Sequence, residues 1–127
     1  MKLELDILEE SVSIHRFCHD STIPLSVYRS SFFSISRTAE ELSVVCDSSI
    51  RLQSDKSETG WKIIKVCGPL DFSETGVLAA LTDPLAAAKI AVFAVSTFDT
   101  DYILIKPEHM AGARNVLERA GFRFVRS

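Results

Sequence analysis

Residues 68–76, Gly-Pro-Leu-Asp-Phe-Ser-Glu-Thr-Gly, form a turn-rich stretch that joins an apolar strand to a helix. Residues 61–67 (WKIIKVC) precede it, and residues 90–95 (IAVFAV) are almost wholly apolar, so both segments are typical of buried strands. The second of them leads into another polar turn, residues 96–101 (STFDTD). Because a rigid sheet holds in place the side chains of turns that leave its strands, the two turns together predict a binding site.

From residue 61 onward the sequence predicts the order strand, helix, strand, strand, helix, strand. A helix over 75–88 contains Pro84, where we expect a kink or a restart with Asp83 as N-cap. Pro107 suits the first position of the last helix, and Gly121 suits its C-terminal cap. The predicted strands cover 61–67, 90–97, 101–106 and 122–125. This βαββαβ order is the ferredoxin-like α+β arrangement, which places both helices on one face of an antiparallel sheet.

An internal repeat organises the chain. Residues 33–45 and 93–105 align without a gap at an offset of 60, and each copy predicts a strand, a polar turn and a strand. The alternative is a chance similarity between two hairpins. A polar, turn-rich segment over 53–60 supplies the boundary between the copies. We therefore predict a tandem of ferredoxin-like units with two domains, an abridged unit over 1–60 and a complete unit over 61–127.

The composition excludes several classes of function. The 127 residues are 46% hydrophobic and 24% charged, which is enough apolar material for a folded core. The formal net charge is −3 and no long basic run is present, which argues against a nucleic-acid partner. No apolar run approaches the roughly 18–20 residues of a membrane span, and no signal peptide is visible, so we expect a cytoplasmic protein. Three cysteines leave one over in any pairing, and we expect them reduced and buried.

Two of the predicted strands are apolar on both faces. Residues 90–95 show no polar alternation, and residues 102–105 (YILI) repeat this pattern. The two helices of a βαββαβ unit lie on the same side of the sheet and cover only one face. The other face needs cover from the first unit or from a second copy of the protein. We therefore predict a pseudo-symmetric tandem that forms a homodimer.

The chemistry of the two turns suits a small zwitterion. Hydroxyl and backbone N–H groups bind a carboxylate, and carboxylate side chains bind an ammonium group. Thr75 and Gly76 open a helix, whose unpaired N–H groups attract an anion. Nothing in the chain has the pattern of a phosphate loop or a dinucleotide fingerprint, and we predict no cofactor.

Most of the second unit resembles the ACT-domain superfamily, in particular the small bacterial proteins with tandem ACT-like units. The matching segments are residues 68–76, the helix ending in Pro84-Leu85-Ala86, residues 90–97 and residues 99–106. A second set is similar to the cytosolic arginine sensors of the eukaryotic TOR pathway: residues 1–8, residues 32–35, Glu40-Glu41 and the Ser-Thr-aromatic-x-Thr-Asp turn. The chain departs from the pattern at Lys89, where such domains often turn with glycine, and in the first unit, which has no glycine-rich loop.

The resemblance implies an ACT-like fold and a regulatory amino-acid site where ACT units meet. Carried onto this sequence, it implies a site at the loop after the first strand, facing residues 96–101 or residues 34–38. The implied ligand-binding residues are Asp71, Phe72, Ser73, Glu74, Thr75, Gly76, Ser96, Thr97, Asp99 and Asp101. The implied partners are an amino acid or similar small zwitterion, a second copy of the chain and a regulated partner protein.

Several of these residues have an alternative structural role. Asp71 and Thr75 would cap the helix, and a residue can cap the helix and contact a ligand at the same time. Asp99 and Asp101 would be ordinary hairpin-turn residues, and Phe72 would plug the core rather than cover a ligand.

His15, Cys18 and His19 look superficially like metal ligands. No second cluster with metal-ligand spacing accompanies them, so we predict no metal site. A cysteine nucleophile with one of these histidines as base is equally weak, because no orienting third group is identifiable.

Three functions fit these features. The first is a non-catalytic regulatory domain that binds an amino acid, and this is our prediction. The second is a ligand-free structural or oligomerisation module. The third is a small enzyme with Asp71 or Glu74 as general base, which requires burial to raise the carboxyl pKa. We expect no enzyme.

Overall fold

The computed structural model describes residues 3–67 and 76–125. The strands are β1 Glu4–Phe17, β2 Ser34–Arg37, β3 Leu42–Asp47, β4 Lys56–Val66, β5 Phe93–Ser96, β6 Asp101–Ile105 and β7 Arg123–Phe124. The α-helices are α1 Val77–Ala87 and α2 Met110–Arg119, and short 3-10 turns cover Leu25–Arg29 and Pro107–His109. No helix in the described ranges is long and apolar enough to cross a membrane.

The chain divides into two compact units. The larger unit consists of Met1–Glu9 and Lys62–Ser127, and the smaller unit is Glu10–Trp61. The described residues 3–9 therefore belong to the larger unit, whereas the division made from the sequence placed them with residues 10–60. The division into domains at residue 60 stays a prediction.

The larger unit has the predicted ferredoxin-like order. From β4 to β7 the elements follow as β4-α1-β5-β6-α2-β7. The β6 strand pairs antiparallel with both β4 and β5, and Leu104 stands opposite Ile63 on one side and Phe93 on the other. The prediction of an α+β fold with antiparallel pairing is confirmed.

The start of the chain adds a strand that the sequence did not predict in this position. Glu4 and Leu5 pair in parallel with Arg123 and Phe124 of β7. On the other side, the Cys67 N–H donates to the Glu4 carbonyl at 2.9 Å, and β1 is the neighbour of β4. A simple βαββαβ unit pairs its first and last strands directly. Here β1 lies between them.

The core of the larger unit lies between its helices and the sheet. Leu81 and Leu85 of α1 are fully buried, as are Ala113 and Leu117 of α2. They pack in one cluster with residues of β1, β4, β6 and β7: Leu5, Ile64, Val66, Ile103, Ile105 and Phe124. Each fully buried leucine contributes about 1.5–3 kcal/mol of hydrophobic free energy.

Pro84 lies inside α1 without ending it. The helix runs from Val77 to Ala87 as one element, so the predicted restart at Pro84 and the N-cap role of Asp83 are wrong. A proline removes one helical hydrogen bond, yet the buried Leu81 and Leu85 on either side hold this helix against the sheet. Tertiary packing therefore outweighs the local preference at this position.

The face of the sheet opposite the helices is covered at its centre. Ile64 and Ile103 point into the helix-side cluster, so their neighbours Ile63 and Leu104 point the other way. Both Ile63 and Leu104 are fully buried within the single chain. The homodimer that was predicted to cover this face stays a prediction.

The helix α2 ends in the turn that its sequence predicts. The Gly121 N–H donates to the Glu118 carbonyl and the Phe122 N–H to the Leu117 carbonyl, both at 3.1 Å. This is the Schellman pattern, and Gly121 adopts the positive φ that it requires, 102°. The predicted cap at Gly121 is confirmed.

The helix α1 ends in the same pattern without a glycine. The Lys89 N–H donates to the Ala86 carbonyl and the Ile90 N–H to the Leu85 carbonyl, both at 2.9 Å. Lys89 has a φ of 60° and is the one non-glycine residue with positive φ among the residues that the structure describes. The sequence departure noted at Lys89 is therefore a strained backbone position.

The smaller unit contains β2, β3 and parts of β1 and β4, and β3 pairs antiparallel with both β1 and β2. Val44 of β3 stands opposite Ile35 on one side and His15 on the other. The core contains Phe17, Val27, Leu42, Val44 and Cys46. Residues 10–61 are all described and contain no α-helix, which agrees with the prediction of an abridged unit.

The two hairpins of the predicted repeat share their turn chemistry. In one, the Thr38 N–H donates to the Glu41 carbonyl at 2.9 Å; in the other, the Thr97 N–H donates to the Thr100 carbonyl at 2.8 Å. In both, the threonine hydroxyl accepts a hydrogen bond from a backbone N–H within the same turn. Thr38 thus corresponds to Thr97, an offset of 59 rather than the predicted 60. A shift of one residue reverses the face of every side chain in the strands.

Candidate functional site

Half of the predicted ligand-binding residues lie outside the described ranges. These are Asp71, Phe72, Ser73, Glu74 and Thr75. The structure describes Gly76 and the four residues predicted in the second turn: Ser96, Thr97, Asp99 and Asp101.

Thr97 closes the β5–β6 hairpin turn. Its N–H donates to the Thr100 carbonyl at 2.8 Å, and its hydroxyl donates to the same carbonyl at 3.1 Å. The Thr97 hydroxyl also accepts from the Thr100 N–H at 3.4 Å. The hydroxyl is therefore engaged inside the turn, where it fixes the backbone.

Ser96 and Asp101 stand opposite each other where the hairpin begins. The Ser96 hydroxyl donates to Oδ1 of Asp101 at 2.5 Å, so one oxygen of this carboxylate has a partner within the turn. Phe98 and Asp99 lie exposed at the tip, with 78% of Phe98 accessible. Asp99 is the carboxylate of this turn that faces solvent.

Thr100 is the position that sequence reasoning missed. Its side chain is buried, and its hydroxyl donates to the Val66 carbonyl at 2.6 Å. Val66 is the last residue of β4, one residue before Cys67 and the start of the 68–76 loop. The hydrogen bond ties the hairpin turn to the strand end from which that loop departs. The available signal was its place between Asp99 and Asp101, two residues that were singled out.

The helix α1 begins at the end of the same loop. Gly76 precedes its first residue with a φ of 78°, and a Cβ at this position would meet no atom within 4 Å. The Ala80 N–H donates to the Gly76 carbonyl at 2.9 Å. The N–H groups of residues 77–79 precede this first helical bond, and such groups carry partial positive charge. These groups lie at the end of α1 that follows the loop in the sequence.

One group of potential metal ligands occurs among the described residues. Cys18, His19 and Asp20 each offer one ligand atom, and these atoms lie within 4.8 Å of one another. His15 is not part of the group, because its Nδ1 lies 2.8 Å from the Ser54 hydroxyl in the buried part of the smaller unit. Burial lowers the pKa of His15, since a charged imidazole loses its hydration there.

The cysteines differ in exposure. All three are free, but Cys18 is exposed and Cys67 is partly exposed, so the prediction of burial holds only for Cys46. Burial, with the adjacent Asp47 charge, raises the pKa of the Cys46 thiol and keeps it protonated.

Comparison with protein-family models gives two matches. The ACT domain model matches residues 56–119, which is 64 of the 127 residues. A second model, described as an N-terminal domain, matches residues 10–50.

Known proteins with similar sequences and solved structures give further matches. The human protein named cytosolic arginine sensor for mTORC1 subunit 1 is 33% identical over 97 residues, a match that covers 69% of this chain and 29% of the sensor. The chain therefore spans less than a third of the length of such relatives. A solved structure from Agrobacterium tumefaciens is 34% identical with a TM-score of 0.90, and the match covers 98% of this chain and 93% of that one.

A more distant structure shows the fold alone. The regulatory subunit of aspartate kinase from Thermus flavus has a TM-score of 0.64 at 9% identity, with 94% of this chain and 97% of that one covered. The order of elements, the antiparallel sheet and the family match lead to one assignment: the chain belongs to the ACT-domain family.

Proposed function

We propose that this protein is a non-catalytic regulatory domain that binds an amino acid or a similar small zwitterion. The site that we propose consists of the loop over 68–76, the N-terminus of α1 and the β5–β6 turn, completed by a further ACT-like unit. The names of the arginine-sensor relatives and of the aspartate kinase regulatory subunit support a regulatory role.

The observation that carries the proposal is the hydrogen bond from Thr100 to the Val66 carbonyl. A buried tether of this kind holds the turn beside the end of β4, which supports the proposal that both turns contribute to one site. The N–H groups at the start of α1 attract the ligand carboxylate, because the helix dipole favours negative charge there. The exposed Asp99 is the described carboxylate suited to the ligand's ammonium group.

A thermal-shift panel of the twenty amino acids with the purified, reduced protein tests the proposal. A ligand at about 100 times its Kd adds roughly 2.7 kcal/mol to the free energy of unfolding. We expect one amino acid, or one chemical group of them, to raise Tm. Asp99→Asn is expected to reduce the shift, and Asp83→Asn, a matched change at an exposed aspartate of α1, is expected to retain it.

The ligand-free module is the second candidate, favoured by the internal hydrogen bonds of Ser96 and Thr97. No shift with any amino acid would support it and count against the sensor. Turnover of a substrate, lost in Asp71→Asn or Glu74→Gln, would instead support the enzyme alternative. We further propose a cytoplasmic location, a homodimer and a regulated partner protein.

A further inference from the structure

The chain makes a tight turn directly after β1. The Ser21 N–H donates to the Cys18 carbonyl at 3.0 Å, which closes a four-residue β-turn over residues 18–21. The side chains of Cys18, His19 and Asp20 are all exposed. This turn lies in the smaller unit, and none of its residues is used in the proposed function.

Three different metal-ligating groups converge on this turn. A thiol, an imidazole nitrogen and a carboxylate oxygen lie within 4.8 Å of one another, although their residues are consecutive in the sequence. Zinc bonds of about 2.0–2.3 Å place neighbouring ligand atoms of a tetrahedral shell about 3.3–3.8 Å apart. Because the three side chains are exposed, small rotations about their side-chain bonds close the remaining gap without disturbing a packed core.

The guanidinium group of Arg37 binds two backbone carbonyl groups of the turn. Arg37, at the end of β2, donates through Nη1 to the His19 carbonyl and through Nη2 to the Ser21 carbonyl, the latter at 2.8 Å. The Arg37 fork therefore occupies backbone oxygens of the turn and fixes its shape. A turn held in this way loses less conformational entropy when its side chains bind a ligand.

We propose that Cys18, His19 and Asp20 form an open binding site for a thiophilic divalent cation of the zinc type. Mixed sulfur, nitrogen and oxygen ligands suit zinc, and three protein ligands leave one position for solvent or a further ligand. A thiolate and a carboxylate together neutralise the charge of the ion. Binding releases the thiol proton to solvent, and no redox step is involved.

Cobalt(II) titration of the reduced, full chain tests this site, because a thiolate bound to cobalt gives a charge-transfer absorption. We expect one cobalt per chain at micromolar concentration, with displacement by zinc. Cys18→Ser should abolish the band. The matched control Cys67→Ser, which removes the other accessible thiol, should retain it.

The other two ligands are tested separately. His19→Asn and Asp20→Asn should each lower the cobalt affinity by at least about tenfold, since even the loss of an outer partner of a ligand costs about 10–100-fold. A band that survives Cys18→Ser would overturn the proposal. So would a band that is lost in Cys18→Ser but unaffected by both other variants, because it would report a single reactive thiol. Far-ultraviolet circular dichroism confirms that each variant folds.

Discussion

Replacing Lys89 by glycine should stabilise the larger unit. Lys89 has a φ of 60° in the turn that ends α1, where a residue with a Cβ is disfavoured by about 1–2 kcal/mol. Glycine relieves this strain but adds about 0.4–1 kcal/mol of conformational freedom to the unfolded chain. The difference predicts a net gain of about 0.5–1 kcal/mol in the free energy of unfolding. At about 2.1 cal/mol/K per residue of unfolding entropy, a gain of this size in a 127-residue chain raises Tm by about 2–4 °C.

Two further variants separate the backbone from the side chain. Lys89→Ala removes the exposed lysine side chain but retains the strained φ, so its stability should stay close to that of the wild type. Gly121→Ala introduces a Cβ at the corresponding position of α2, where the φ is 102° and no atom lies within 4 Å of the added carbon. It should lower stability by a similar net amount, because the backbone strain that alanine adds exceeds the conformational freedom that it removes from the unfolded chain.

Urea denaturation followed by circular dichroism gives the three free energies on one scale. The expected order is Lys89→Gly above wild type, Lys89→Ala level with it, and Gly121→Ala below it. Equal or lower stability of Lys89→Gly relative to Lys89→Ala would refute the argument, since it would show that the strain at this φ does not exceed the entropy that glycine adds to the unfolded chain.

Three other predictions concern single side chains. Burial lowers the pKa of His15 in the folded chain, so the unfolded chain binds a proton there more readily. The free energy of unfolding is therefore at its full value above the unfolded pKa of 6.5 and falls as the pH drops below it. Urea titrations between pH 7 and 5 should show this slope, with His15→Gln reducing it. Thr100→Val should lower stability by about 1–3 kcal/mol, because the Val66 carbonyl loses its donor, while Thr100→Ser should retain most of it; chemical denaturation measures both. Leu117→Ala should lower the free energy of unfolding by about 2–5 kcal/mol, because Leu117 is fully buried in the core of the larger unit. Chemical denaturation measures this loss, and a smaller one would mean that the core collapses around the gap.

The sequence predicted the local features of the larger unit well. The order of strands and helices and the glycine after α2 follow from patterns that extend over a few residues, and the structure contains them. Pro107, predicted at the first position of the last helix, instead begins the 3-10 turn Pro107–His109, and α2 starts at Met110. The predicted restart at Pro84 failed because buried leucines on both sides determine the helix. Periodicity reports local preference, and packing decides between preferences of similar size.

The pairing of strands that lie far apart in the sequence could not be predicted. Nothing in residues 4–9 indicates that they pair with β7, because apolar alternation shows that a segment is a strand but not which strand is its neighbour. The repeat was found but placed one residue out of register, since a gapless comparison cannot see that Thr38 and Thr97 make the same turn. For the candidate site, the sequence identified the β5–β6 turn but missed Thr100, whose importance comes from a contact with a distant carbonyl.

The position of β1 also has a consequence for the time course of folding. Glu4 and Leu5 are synthesised well before their partners Arg123 and Phe124, from which more than a hundred residues separate them. Until β7 has been synthesised, one edge of this segment lacks its hydrogen-bonded neighbour, and the sheet of the larger unit cannot be completed. Closing so large a loop is entropically expensive, and proteins dominated by such distant pairings fold slowly. Pairing of β1 with β7 is therefore expected among the last events of folding, and the first strand in the sequence would be one of the last to be secured.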